Sequence, residues 1–142
     1  MQDKLKIWLQ VARAYQKTGR RLSERLRELD LSGAQLDVLA NLSRHPQGMN
    51  QTELGGKLLS TKANVTGLVE RLVSRGLVQR QPDPNDARSK TVSLTPAGEE
   101  LAARAGALHA RFVDDMLAGL SGEDLARLQA IMTRVESELD RM

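Results

Sequence analysis

Two charged residues, Asp86 and Arg88, stand two positions apart in a polar, proline-containing segment between two short β-forming runs. An arginine on a protruding loop suits insertion into a narrow minor groove of DNA, where the electrostatic potential is most negative. The carboxylate two positions away could orient the guanidinium through a bidentate pair, and Lys90 adds a further positive charge. Taken alone, the pair is equally consistent with a solvated surface ion pair, which contributes ~0–1 kcal/mol.

A second group of polar residues lies upstream, on a stretch whose apolar residues recur at helical spacing from Val65 to Leu72. If the apolar side chains face a core, the polar ones lie wholly or partly outward. A helix in the major groove reads base edges with small polar side chains in its first turns. The candidate base-reading residues are Thr61, Lys62, Ala63, Asn64, Thr66, Gly67 and Arg71. The alternative is an ordinary amphipathic helix with a solvated polar face.

Helix-start and helix-stop signals position this second group. Asn50 and Glu53 form a capping-box pattern, and the short helix that they begin is expected to end near residues 58–59. Thr61 is expected to be the N-cap of the following helix, which stops at Gly76. Two helices at this separation, joined by a few residues, make a helix-turn-helix.

A β-hairpin is expected after the two helices. Residues 77–78 and 91–94 have β-forming character, whereas the residues from Pro82 to Asn85 cannot continue a strand ladder and favour a turn. A helix pair followed by a basic hairpin is a more specific pattern than either feature alone. The order predicts a winged helix-turn-helix, with the hairpin as the wing.

These residues resemble the MarR family of bacterial winged helix-turn-helix transcriptional regulators. The resemblance is carried by Leu68-Val-Glu-Arg-Leu, Arg75-Gly-Leu-Val, Asp83-Pro-Asn-Asp-Ala-Arg88 and Val92-Ser-Leu-Thr-Pro-Ala-Gly98, and with the flanking helices it covers essentially the whole chain. It implies that Arg88 enters the minor groove and that Asp86 braces the wing. Gly67 is a departure, because similar proteins often have a longer, frequently basic residue there; a glycine inside a helix also costs roughly 1 kcal/mol relative to alanine.

The terminal segments read as long helices with apolar stripes. One helix is expected over the first thirty residues, a second from Thr95-Pro96, and a third from Ser121. The stripe residues are Leu5, Trp8, Ala12, Tyr15, Gly19, Leu22, Leu26 and Leu29, then Leu101, Ala105, Leu108, Phe112, Met116 and Leu120, and finally Leu125, Leu128, Ile131 or Met132, Val135 and Leu139. A two-fold dimer would cover them; an intrachain three-helix bundle is the alternative.

The expected fold class is therefore mainly α with a small β-hairpin wing. It is a winged helix-turn-helix with N- and C-terminal dimerisation helices, in a single domain over residues 1–142. The dimerisation helices are expected at residues 1–30 and 96–142, and the DNA-binding module at about 32–95. The charge is uneven: from Lys57 to Lys90 there are seven basic and three acidic residues, a net charge of +4, whereas the rest of the chain carries −1. That distribution is typical of phosphate contacts.

Catalysis, metals and cofactors are not expected. The chain has no cysteine, its two histidines lie far apart, and neither has metal-binding spacing. The adjacent acid pairs at 99–100 and 114–115 diverge by about 100° on a helix and do not form an acid/base dyad. No run approaches the ~20 apolar residues of a membrane span, and the N-terminus lacks a signal-peptide core. The expected location is the cytoplasm, without membrane contact.

The resemblance also implies a regulatory ligand. In similar proteins, small anionic or aromatic molecules often bind where the dimerisation helices meet the winged helix. The candidate effector residues are Trp8, Arg13, Tyr15, Arg44 and His45, although Trp8 and Tyr15 fit a core position better. The expected function is a homodimeric repressor on a pseudo-palindromic double-stranded DNA operator. The alternative is a winged-helix module that binds an acidic protein partner without specific DNA binding.

Overall fold

The first helix, α1, spans Lys4–Leu26 in the computed structural model, which describes residues 2–59 and 64–142. The side chain of Asp3 caps it by accepting a hydrogen bond from the backbone N–H of Lys6 at 3.1 Å. A single 3-10 turn, Arg27–Leu29, follows, and Asp30 ends it in the left-handed conformation at φ 54°. The predicted first helix is confirmed, with a tighter final turn.

Helix α2 (Gly33–Ser43) begins at the N-cap Ser32, and helix α3 (Gln51–Lys57) begins at the predicted cap, Asn50. Ser32 and Gln35 form a reciprocal capping box at the start of α2. At α3 the box is only half formed: the side chain of Asn50 accepts from the backbone N–H of Glu53 at 2.7 Å. The Glu53 carboxylate accepts from the side-chain amide of Asn50, at 3.1 Å.

Helix α4, the second helix of the helix-turn-helix, spans Val65–Ser74. Its N-cap is Asn64, whose side chain accepts a hydrogen bond from the backbone N–H of Gly67. The predicted cap, Thr61, lies outside the described residues, and the described part of the helix begins at Asn64. The predicted stop at Gly76 is confirmed, since Gly76 has φ 73° and follows the C-cap Arg75.

Three antiparallel strands form the sheet: β1 (Met49–Asn50), β2 (Val78–Asp83) and β3 (Asp86–Leu94), in the order β1-β3-β2. The wing is therefore present, as predicted, but Pro82 and Asp83 belong to β2 and not to the turn. Proline has no backbone N–H to donate. Pro82 is tolerated because β2 is an edge strand, which has a neighbouring strand on one side only. The two-residue strand β1 was not anticipated. The mainly helical class with a small wing is confirmed.

The core lies beneath the sheet and between the first four helices. The largest side chains that solvent does not reach come from α1, α2, α3, α4 and β3: Leu26, Val38, Leu39, Leu42, Leu54, Val69, Leu72 and Val92. Because each element contributes a single apolar face, the opposite face of α4 stays exposed.

Helix α5 (Pro96–Met116) starts against the turn that follows α4. The hydroxyl of Thr95 donates to the carbonyl of Gly76 at 2.6 Å, and its backbone N–H donates to the carbonyl of Leu77 at 3.1 Å. Gly98 packs so closely that a Cβ there would collide with the Leu77 carbonyl oxygen. The Leu-Thr-x-x-Gly motif thus fixes where α5 leaves the sheet. The helix ends at Met116, so Leu120 lies beyond it, contrary to the predicted stripe.

The chain folds into two compact units, Met1–His109 and Ala110–Met142. Within the second unit, α6 (Gly122–Arg141) begins at the predicted cap Ser121. Every residue of α6 is exposed in the single chain. Among the described helices, none combines the length and the apolar character that crossing a bilayer requires.

Candidate nucleic-acid interface

The wing carries three cations on one face of the β2–β3 ribbon. Arg80 pairs with Val92, and Pro82 pairs with Lys90. Since successive residues of a strand point to opposite faces, Arg80, Arg88 and Lys90 share the face on which Val92 packs into the core. All three are exposed. Arg80 was not predicted as a site residue, although its register with Val92 would have indicated the shared face.

Asp86 braces the wing through the backbone. Its Oδ1 accepts a hydrogen bond from the backbone N–H of Arg88 at 3.0 Å. The expected bidentate pair between the Asp86 carboxylate and the Arg88 guanidinium is not formed, so that prediction is wrong. Across residues 2–59 and 64–142, no carboxylate pairs with the Arg88 guanidinium. The local turn uses the carboxylate, and the arginine charge stays available to a ligand.

Only some of the predicted base-reading residues lie within the described ranges. Thr61, Lys62 and Ala63 lie outside the described residues. Asn64 is exposed and caps α4, and Gly67 receives the cap through its backbone N–H at 3.1 Å. The cap accounts for the glycine, because a Cβ on Gly67 would stand 2.5 Å from the Oδ1 of Asn64.

Thr66 and Arg71 lie further along α4, and both are exposed. The hydroxyl of Thr66 accepts a hydrogen bond from the side-chain amide of Gln51 at 2.7 Å, which ties α4 to the start of α3. Gly55 allows the same two helices to approach, since a Cβ there would stand 3.3 Å from Val65. Thr66 is thus a contact between the two helices as well as a candidate for DNA.

Asp37, on α2, holds the residues that follow the end of α3. Its Oδ2 accepts from the backbone N–H of Leu59 at 2.6 Å, and its Oδ1 accepts from the side chain of Asn41 at 3.1 Å. The sequence contains no sign of this role, because Asp37 and Leu59 are 22 residues apart. The carboxylate therefore holds Leu59 from a neighbouring helix.

Arg75 is one of the seven basic residues of the module, but its guanidinium is used within the fold. It donates to the carbonyl of Asp30 at 2.6 Å and to that of Leu29 at 3.4 Å, and it lies 3.9 Å from the Asp30 carboxylate. The end of α4 is thereby joined to the turn that ends α1. The basic footprint of the interface consequently has one fewer free charge than the sequence suggested.

The predicted effector residues are not brought together in the single chain. Trp8 is 53% exposed and Tyr15 is 66% exposed, so the interpretation of both as core residues does not hold within one chain. Arg13 and Arg44 are also exposed, and His45 is half-buried. The Nδ1 of His45 lies 2.9 Å from the carbonyl oxygen of Asn41.

Of these five residues, only His45 lines the cavity of about 200 Å³ at the end of α2. Its other lining residues are Leu42, Ser43, Pro46, Leu94 and Glu99. Within the described ranges, no three histidine, aspartate or glutamate side chains are grouped to hold a metal ion.

Comparison with known proteins places this geometry in a family. Residues 29–89 match the sequence model of the MarR family. An HTH-type transcriptional regulator of Bacillus cereus is 31% identical over 139 residues, which cover 95% of this chain and 90% of that protein. The multiple antibiotic resistance protein MarR of Escherichia coli is 31% identical over 121 residues, which cover 84% of this chain and 83% of that protein.

The fold agrees with these sequence matches. A mutant of Escherichia coli MarR, crystallised with operator DNA, matches this structure with a TM-score of 0.79 at 28% identity. The match covers 94% of this chain and 99% of that one. The family contains transcription regulators and not enzymes. The chain belongs to the MarR family of winged helix-turn-helix transcriptional regulators.

Proposed function

We propose that this protein is a homodimeric repressor that binds a pseudo-palindromic double-stranded DNA operator. The observation that carries the proposal is a set of exposed cations on the wing and on α4. Arg71, Arg80, Arg88 and Lys90 are exposed, and none pairs with a carboxylate in the part of the chain that the structure describes. Uncompensated cations on a protruding hairpin and an adjacent helix suit the phosphate backbone of DNA.

The two parts of the interface have different tasks. Helix α4 exposes a polar face, and the major groove of DNA is wide enough to admit an α-helix. Each of the four base pairs presents a distinct pattern of donors and acceptors in that groove. The wing presents Arg88, which suits the narrow and strongly negative minor groove beside it. The relative from Escherichia coli that was crystallised with operator DNA supports DNA binding by this fold.

Dimer formation is supported by apolar surface that the single chain leaves in water. In α1 the C-terminal half packs into the core at Leu26, but the N-terminal half exposes Leu5, Trp8 and Tyr15. In α6 the stripe is exposed throughout, including Leu128 at 43% and Ile131 at 54%. Apolar surface of this extent marks an interface in a water-soluble chain. A two-fold dimer covers the same stripe on both chains and presents two DNA-binding modules.

The proposal includes release of the operator by a small anionic or aromatic effector. The cavity lined by His45 supports a binding place for a small molecule, and Arg44, next to it in the chain, is exposed and positively charged, although Glu99 in the lining does not favour an anion. Trp8, Arg13 and Tyr15 remain candidates for contacts on the α1 side. A ligand changes repression only if it binds the DNA-free form more tightly than the DNA-bound form.

The decisive experiment is selection of genomic DNA by the purified protein, followed by binding measurements on the selected operator across a salt series. Six to ten phosphate contacts would lower affinity by about 10³- to 10⁵-fold between 50 and 200 mM salt. Sedimentation under the same conditions should give a dimer. Failure to enrich any sequence, together with salt-independent binding, would refute the proposal and favour the protein-interaction module.

A further inference from the structure

Asn64 and Gly67 fit each other in a way that limits what Asn64 can offer to DNA. A Cβ on Gly67 would stand 2.5 Å from the Oδ1 of Asn64, 2.6 Å from its Nδ2 and 2.8 Å from its Cγ. Both polar atoms are closer to that point than the carbon that bears them. The edge of the amide that carries the oxygen and the nitrogen is therefore turned toward Gly67.

This orientation removes the usual recognition pattern of asparagine. Asparagine reads adenine with both atoms of that edge, because Nδ2 donates to N7 while Oδ1 accepts from the N6 amino group. Here Oδ1 accepts from the backbone N–H of Gly67 at 3.1 Å. The Nδ2 of the exposed Asn64 has no hydrogen-bond partner in the described ranges 2–59 and 64–142. The N–H groups of the amide are thus left to donate.

We propose that Gly67 and Asn64 form one specificity unit, in which the absent side chain of Gly67 lets Asn64 cap α4 while Asn64 binds DNA only as a hydrogen-bond donor. The ligand is a hydrogen-bond acceptor at the recognition helix. Two sources supply this chemistry: a base edge, namely the N7 of guanine or adenine, guanine O6 or thymine O4, and a phosphate oxygen. The inference rests on the proposed DNA-binding function, and it excludes Asn64 as a bidentate reader of adenine.

The unit also explains the departure at position 67. A longer side chain at that position must displace the amide of Asn64, because the space above the Gly67 Cα is filled by it. The helix can therefore have the cap with a donor-only asparagine, or a side chain at position 67, but not both in this conformation.

Variants at Asn64 separate capping from donation. Asn64→Asp keeps an oxygen that can cap the helix and removes the N–H, whereas Asn64→Ala removes both. We expect the midpoint of thermal unfolding to stay near the wild-type value for Asn64→Asp and to fall for Asn64→Ala. Both variants should bind the selected operator more weakly, by a factor of roughly two to ten in each half-site.

Modified operators identify the acceptor. The operator carries 7-deazaguanine, 7-deazaadenine, 2-aminopurine in place of guanine, a thymine analogue without O4, or a methylphosphonate, one position at a time. At one position the wild type should lose more affinity than Asn64→Ala does, and the type of position tells a base from a phosphate. Coupling of Asn64 to the N6 amino group of an adenine, tested with purine in place of adenine, would overturn the proposal. So would the absence of coupling at every position.

Gly67→Ala tests the other half of the unit. The new Cβ displaces the Asn64 amide, so operator affinity should fall to the value of Asn64→Ala, and the double variant should be no weaker than either. Gly106→Ala is the matched control, since a Cβ on that α5 glycine meets nothing within 4 Å. Wild-type affinity in Gly67→Ala refutes the unit. If the wild type itself binds no operator, the proposed function fails first.

Discussion

Replacing Gly98 by alanine should destabilise the fold far more than a single methyl group suggests. A Cβ at this position collides with the carbonyl oxygen of Leu77 and stands 2.9 Å from its carbonyl carbon. Neither partner is the end of a flexible side chain, so the start of α5 must move away from the turn that follows α4. That movement breaks the hydrogen bonds from Thr95 to the carbonyls of Gly76 and Leu77.

The size of the effect follows from these contacts. Each lost hydrogen bond costs about 0.5–1.5 kcal/mol, and overpacking costs typically 1–3 kcal/mol. The better helix propensity of alanine offsets up to about 1 kcal/mol. We therefore expect the free energy of unfolding to fall by about 1–6 kcal/mol.

Urea unfolding at one fixed protein concentration measures this change, because an oligomer makes apparent stability depend on concentration. The control is Gly106→Ala in the same helix, where a Cβ has open space. The control should gain about 0.5–1 kcal/mol from helix propensity alone. If Gly98→Ala is as stable as the wild type, the close approach of α5 to Leu77 does not explain why position 98 is a glycine.

Three further predictions concern the interface and assembly. Arg80→Ala and Arg88→Ala should each reduce the salt dependence of DNA binding by about one unit of slope per half-site. Gln79→Ala, on the opposite face of the wing, should leave the slope unchanged. Equal slopes in all three variants would refute the shared cationic face. Arg75→Ala should lower the free energy of unfolding by about 1–3 kcal/mol, because the carbonyls of Leu29 and Asp30, in the turn after α1, lose their hydrogen-bond donor. The salt dependence of DNA binding should keep the wild-type slope. A polar residue in place of Leu128 should give a monomer in sedimentation with greatly reduced operator affinity, and a dimer that survives this change would exclude α6 from the interface.

Much of the architecture follows from local sequence. The caps Ser32, Asn50 and Ser121 bond to residues three positions later, so the chain segment itself contains the whole signal. Helical and alternating periodicity likewise predicted the helices and the wing, because burial of one face repeats with the geometry of the element. The family motifs then related the order of the helices and the hairpin to the winged helix-turn-helix of the MarR family.

Tertiary structure decided how the candidate site residues are used. Arg75 and Arg88 are both basic residues of the module, but only the folded chain brings Arg75 to carbonyls 45 and 46 residues away. Asp37 likewise accepts a hydrogen bond from the backbone N–H of Leu59, which is 22 residues away in the chain. A sequence contains no measure of such distances, because they depend on how faces pack and not on neighbours in the chain.

The start of α4 shows the boundary between the two sources of information most clearly. Thr61 and Asn64 are both residue types that cap helices, and their sequence context favoured the first. Thr61 lies outside the described residues, and within them Asn64 caps α4 with its amide over Gly67. The sequence alone predicted that a polar residue would start this helix. How the atoms of Asn64 are used depends on a close approach to Gly67 that only the folded backbone creates.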